Sequence, residues 1–74
     1  MSYELIDSSK IGNRLRGIRA ERKETAEDVA RSIGVSTSAI GMYENGQRIP
    51  RDEIKIRIAE HFGMPVESIF FTKA

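Results

Sequence analysis

Residues 25 to 50, "TAEDVARSIGVSTSAIGMYENGQRIP", decide how this chain folds. The stretch opens on Thr25-Ala26-Glu27-Asp28, which has capping-box spacing with Asp in place of the usual Glu or Gln. The Thr25 hydroxyl can accept from the Asp28 amide, so a helix is expected to start here. Val29, Ala30 and Ile33 give that helix one buried side. Gly34 follows at once and can take the left-handed conformation that ends a helix. After apolar Val35, Ser36 is a good cap for another helix, with Ile40 and Tyr43 facing inward. Asn45-Gly46 stops it, and Gln47 to Arg51 form a loop punctuated by Pro50. Two short helices joined by a tight glycine turn make a helix-turn-helix. Ala30 lets the helices approach, Gly34 makes the turn and Ile40 plugs the angle between them. Ala-x3-Gly-x5-Ile is a weak pattern alone. It gains force from the two caps and from a helix on either side.

Working outward, a first helix is expected to be capped by Ser8 or Ser9, with Ile11, Leu15 and Ile18 as its apolar stripe and Gly12 and Gly17 weakening it. On the other side, Asp52 and Glu53 suit the positive end of a fourth helix. Ile54, Ile58 and Phe62 recur along it with Ala59 beside them, and Gly63 ends it. Pro65 is a natural first residue for a short last helix carrying Val66, Ile69 and Phe70. Residues 1–8 have no clear period, although Tyr3, Leu5 and Ile6 are apolar enough to pack on the domain or on a second subunit. No strand pattern, internal repeat or low-complexity segment is visible. The expectation is an all-α, five-helix domain over residues 9–71, with an N-terminal arm at 1–8 and a tail at 72–74.

A chain of 74 residues fits one domain. It has no cysteine, hence no disulfide framework and no thiolate metal site, which suits a reducing cytoplasm. The start, MSYELIDSSK, lacks a basic segment followed by an apolar run, so no signal peptide is expected. No apolar stretch nears the roughly 20 residues that span a bilayer. A soluble cytoplasmic protein without membrane contact is expected. An enzyme is not. His61 is the only histidine, without a metal-ligand partner at sensible spacing, and reads as a surface or boundary residue. Ser36, Ser38 and Ser68 lack a paired base, and no glycine-rich loop follows a strand. No metal or cofactor is expected.

Net charge is +1, too small by itself to imply nucleic acid. The distribution is uneven. Lys10, Arg14, Arg16, Arg19, Arg22 and Lys23 face one anion, Glu21, within the same segment, while acids gather at Glu24, Glu27, Asp28, Asp52 and Glu53. The ordinary reading is a solvated helix face, and the sharper one is a surface for phosphates.

With "IGNRLRGIRAER" at 11–22, the opening stretch at 25–50 and "IAEHFGMPVESIF" at 58–70, the chain resembles the lambda-repressor-like, or Xre-type, helix-turn-helix regulators. The resemblance runs from about Ile11 to Phe70, and "YENG" followed by a loop and proline is among its most specific parts. It implies a five-helix bundle whose third helix enters the major groove of double-stranded DNA. It also implies that Arg19 and Glu44 form an ion pair fixing the recognition helix to the first helix. Breaking such a pair costs ~3–5 kcal/mol if it is buried and ~0–1 kcal/mol if it is exposed. Two departures stand out. Members usually have Gln at Ala26, where it touches phosphate; here only backbone N–H groups at the helix start can do so. Members also tend to carry an apolar staple at Glu24, so this end of the second helix is expected to be less rigid.

On the third helix, Thr37 and Gly41 are i, i+4 neighbours, as are Ser38 and Met42, and both pairs fall away from Ile40 and Tyr43. These four are the expected base contacts. Thr and Ser cannot make the two-pronged contacts that Arg or Gln make, but Met42 and the Thr37 methyl suit a thymine methyl. Arg14, Ala26, Asn45, Gln47 and Arg48 are the expected contacts to the DNA backbone. Lys10 is a weaker candidate, and Arg51, Lys55 and Arg57 read as a solvated face. A monomer this small rarely binds tightly, so a homodimer on a palindromic operator is expected, its recognition helices about 34 Å apart. Ile69, Phe70 and Phe71 are the candidate interface. The function expected is sequence-specific regulation of transcription, as a repressor. The competing reading is an antitoxin-like or other protein-interaction module, with DNA binding secondary or absent; a regulatory protein is a further candidate partner in either case.

Overall fold

The computed structural model describes residues 3–73. Its elements in order are β1 (Tyr3–Leu5), α1 (Ser8–Glu21), α2 (Ala26–Ile33), α3 (Thr37–Glu44), α4 (Asp52–Phe62), α5 (Val66–Phe70) and β2 (Phe71–Lys73). The five helices enclose one core. Ile11 and Leu15 of α1, Val29 and Ile33 of α2, Ile40 and Tyr43 of α3, and Ile58 and Phe62 of α4 meet Ile69 and Phe70 of α5 there.

Local chemistry explains most boundaries. Thr25 and Asp28 close a full capping box, and Ser36 Oγ accepts from the Ala39 amide at 3.0 Å. Gly34 and Gly63 are both left-handed at helix ends. The end of α3 is a Schellman turn: Gln47 N donates to Met42 O at 2.9 Å and Gly46 N to Tyr43 O at 3.2 Å.

Three expectations are corrected. The first helix is capped by Asp7, whose Oδ1 accepts from Lys10 N at 2.9 Å, and not by Ser8 or Ser9. A carboxylate accepts from the helix start at least as well as a hydroxyl. The chain also contains strands. β1 and β2 pair antiparallel with Leu5 opposite Phe71, and Ile6 N donates to Phe70 O at 3.0 Å. The stretch assigned to an arm therefore meets the stretch assigned to a tail, with Ile6 buried beneath them. The third correction is Lys55, expected on a solvated face. It is buried, with its stem against the core; its Nζ lies 3.4 Å from Asp52 Oδ1 and 5.9 Å from the centre of the Phe71 ring.

Candidate nucleic-acid interface

The inner side of α3 is held by α1 in two ways. The first is close backbone approach. A Cβ on Gly12 would collide with the carbonyls of Tyr43 and Glu44, so α1 packs directly on the α3 backbone. Gly12 therefore has a packing role where the sequence suggested only a weakened helix. The second is Arg19. Its Nε donates to Glu44 Oε2 at 2.6 Å and its Nη2 to Glu44 Oε1 at 2.9 Å, a two-pronged pair. The two side chains are 22% and 8% exposed, so the pair is part-buried. The hydrogen bond to Glu44 raises the Arg19 guanidinium above its ordinary range. Its Nη1 also donates to the carbonyl of Glu24 at 3.0 Å.

Arg16 adds a contact that the sequence did not reveal. Its Nη2 donates to Glu44 O at 3.0 Å and to Asn45 Oδ1 at 2.9 Å. The available signal was spacing, since Gly12, Arg16 and Arg19 share one side of α1. Asn45, read as a backbone contact, is thus oriented by α1 through its amide oxygen. Gly46, with φ 74°, sits against the backbone of Ser8 and Ser9, which fixes the loop after α3 on the start of α1.

The outer side of α3 is different. Thr37 and Ser38 are exposed, and Gly41 and Met42 are half-buried. A Cβ on Gly41 would meet nothing within 4 Å, so no packing inside the domain explains this glycine. Gln47 and Arg48 extend the same end as exposed loop residues, with exposed Ile49 beside them. At the start of α2, Ala26 is half-buried and packs on the core. Its amide precedes the first backbone bond of that helix, from Val29 N to Thr25 O. The Asp28 carboxyl there is held below its ordinary range, chiefly by the backbone N–H of Thr25 and next by the Thr25 hydroxyl.

Arg14 lies elsewhere. Its Nη1 donates to the carbonyls of Ser68 at 3.1 Å, Ile69 at 3.4 Å and Phe71 at 3.3 Å, capping the end of α5. Arg16, by contrast, reaches the end of α3. Among the interface candidates, Ile69 and Phe70 are 0% exposed, so their side chains have no surface left for a second copy. Phe71 remains half-buried, beside an open hollow of about 260 Å³ that Asp52, Lys55, Ile56 and Val66 also line. The other end of the domain holds two further surprises. Glu24, expected to leave α2 loosely held, lies 2.7 Å from His61, expected only as a surface or boundary residue without a metal-ligand partner. Arg57, read as solvated, donates to Glu53 Oε1 and to the carbonyl of Ile33. No described helix is long and apolar enough to cross a membrane.

A helix-turn-helix family model matches residues 15–69. Over 58 residues the chain is 38% identical to an uncharacterized HTH-type transcriptional regulator of Methanocaldococcus jannaschii, covering 78% of this chain and 88% of that protein. It is 36% identical over 61 residues to the HTH-type transcriptional repressor RghR of Bacillus subtilis, covering 81% of this chain but 45% of the repressor. This chain thus spans less than half the length of that relative. Among solved structures, the restriction-modification controller protein C.AhdI of Aeromonas hydrophila matches with a TM-score of 0.80 and 27% identity. That match covers 84% of this chain and 94% of the controller.

Proposed function

This chain belongs to the helix-turn-helix family of the Xre and lambda-repressor-like type, whose members are DNA-binding transcriptional regulators and not enzymes, and we propose that it acts as a repressor, binding a palindromic operator as a homodimer with α3 in the major groove. The observation that carries this reading is the two-sidedness of α3. Its inner side is clamped by Gly12 and Arg19, while its outer side keeps a small open surface at Gly41. Glycine costs a helix ~1 kcal/mol relative to alanine. A backbone that must come close to DNA bases gives that cost a reason.

In this reading Thr37, Ser38 and Met42 touch base edges around Gly41, with Met42 and the Thr37 methyl against thymine methyls. The amides at the start of α2, with Asn45, Gln47 and Arg48, hold the sugar-phosphate backbone. Arg14 keeps its structural place at the end of α5. The second copy is seated on Phe71, Ile56 and Val66, a face continuous with the β1–β2 pair. The protein would work in the compartment that holds the DNA.

Selection of bound duplexes from random DNA by the purified protein tests the whole reading. A palindromic site whose affinity falls steeply with salt is the expected result. Binding to no duplex, even at low salt, would overturn it in favour of a protein-interaction module.

A further inference from the structure

Glu24 Oε2 and His61 Nε2, 2.7 Å apart, tie the turn before α2 to the last turn of α4. The side chains are 25% and 17% exposed, so both are partly withdrawn from water. The His61 ring meets Phe62 edge to face at 5.0 Å, and the Arg22 guanidinium lies 5.3 Å from the centre of the Phe62 ring. Glu24 is also bound through its carbonyl, by the same Arg19 that grips Glu44. An unbroken path therefore runs from His61 through Glu24 and Arg19 to Glu44 at the end of α3. It spans α4, the turn before α2, α1 and α3.

We infer that Glu24 and His61 are positioning residues that form a proton-sensitive clasp on the helix-turn-helix, tightening DNA binding when His61 is protonated. The inference rests on the DNA-binding reading above. An apolar staple at Glu24 would be indifferent to pH, whereas this ionic one is not. Imidazole is the side chain that ordinarily changes charge between about pH 5 and 8. Protonated, it offers Glu24 a full opposite charge. Neutral, one tautomer still donates from Nε2 to the carboxylate, but the Coulombic attraction between opposite charges is gone. Raising the pH thus loosens the clasp without breaking it. The other charged groups near His61 are already engaged or exposed. Arg57 is bound to Glu53 and the Ile33 carbonyl, Arg31 to Glu27 and Asp28, and Glu60 is exposed. Arg22 lies over Phe62 and reaches no carboxylate by a salt bridge among the described residues.

The test is duplex affinity from pH 5.5 to 8.5 at constant ionic strength, using a selected site as the probe. The proteins are the wild type, His61→Gln and Glu24→Leu. The wild type should lose about two- to fivefold in affinity as the pH rises, the scale of one partly exposed charge pair. His61→Gln and Glu24→Leu should both give flat profiles. A sloping profile in Glu24→Leu would mean that His61 acts by its own charge on DNA, and would overturn the clasp. A flat wild-type profile would do the same. Amide NMR of the free protein gives a second measurement that needs no DNA. The Thr25 and Ala26 amides should titrate with His61 in the wild type and stop doing so in Glu24→Gln. If they do not follow His61 while duplex binding is intact, the clasp alone fails. If no duplex is bound at any pH, the DNA-binding reading fails, and with it the role given to the clasp.

Discussion

Arg19→Ala is the substitution whose cost distinguishes a clamp from a surface ion pair. It leaves Glu44, 8% exposed, without its two-pronged partner, and also strips the Glu24 carbonyl of its donor. Loss of one partner from a buried pair costs about 3–5 kcal/mol. Two features place this pair at the low end. Arg19 is itself 22% exposed, and Arg16 Nε, 4.0 Å from Glu44 Oε1, remains to offset part of the charge. A loss of about 3 kcal/mol is therefore expected. A chain of this length has a total stability of roughly 4–11 kcal/mol, so the fold is left marginal. At about 4–8 °C per kcal/mol for a domain of this size, the midpoint of thermal unfolding should drop by ~12–24 °C. Urea and thermal unfolding followed by circular dichroism measure both quantities. Arg19→Met combined with Glu44→Leu is the companion variant. It removes both charges, so it should be more stable than Arg19→Ala by at least ~1 kcal/mol. A loss below ~1 kcal/mol for Arg19→Ala would refute the reasoning, because that is the range of an exposed pair.

Three further outcomes are expected. Gly41→Ala should raise stability by ~1 kcal/mol, because the helix gains a better residue and the new methyl meets nothing; it should also weaken binding to the selected duplex, and unchanged binding would remove Gly41 from the DNA surface. Gly12→Ala should lower stability by ~1–3 kcal/mol, since the methyl drives α1 off the α3 backbone, and a neutral urea midpoint would contradict that packing. Asp28 has a folded-state pKa held below its ordinary value, so its contribution is present above the ordinary carboxylate range and lost as pH falls through the folded value; Asp28→Asn should flatten that part of the acid unfolding curve, and an unchanged curve would place the contribution elsewhere.

The motif was legible because its signals are local. Thr25 with Asp28, Ser36 with Ala39, and Gly34 each act within a few residues, and each behaves in the structure as its spacing implies. The strand pair was not legible for the opposite reason. Each strand has 3 residues, too few to display alternation, and the partner lies at the far end of the chain. Gly12 misled because helix propensity concerns one helix alone, while its role depends on the carbonyls of another. His61 and Glu24 form a pair 37 positions apart, which no local spacing exposes. The outer side of α3 could be read from helical period, but what it would meet could not.

The arginines of α1 show what charge counting leaves out. In sequence, the run from Lys10 to Lys23 offered a choice between a solvated face and a phosphate surface. Arg14, Arg16 and Arg19 also bond inside the domain: they brace α5, Asn45 and Glu44 through bonds to carbonyls, an amide and a carboxylate, while Arg16 stays 48% exposed. A guanidinium suits this work because its fixed fork of donors can serve several acceptors at once. Arg19 serves two elements, gripping Glu44 on one side and the Glu24 carbonyl on the other. The placement of α3 and that of the turn before α2 are therefore not independent. A change at Glu24 or His61 would reach α3 through a single side chain, Arg19.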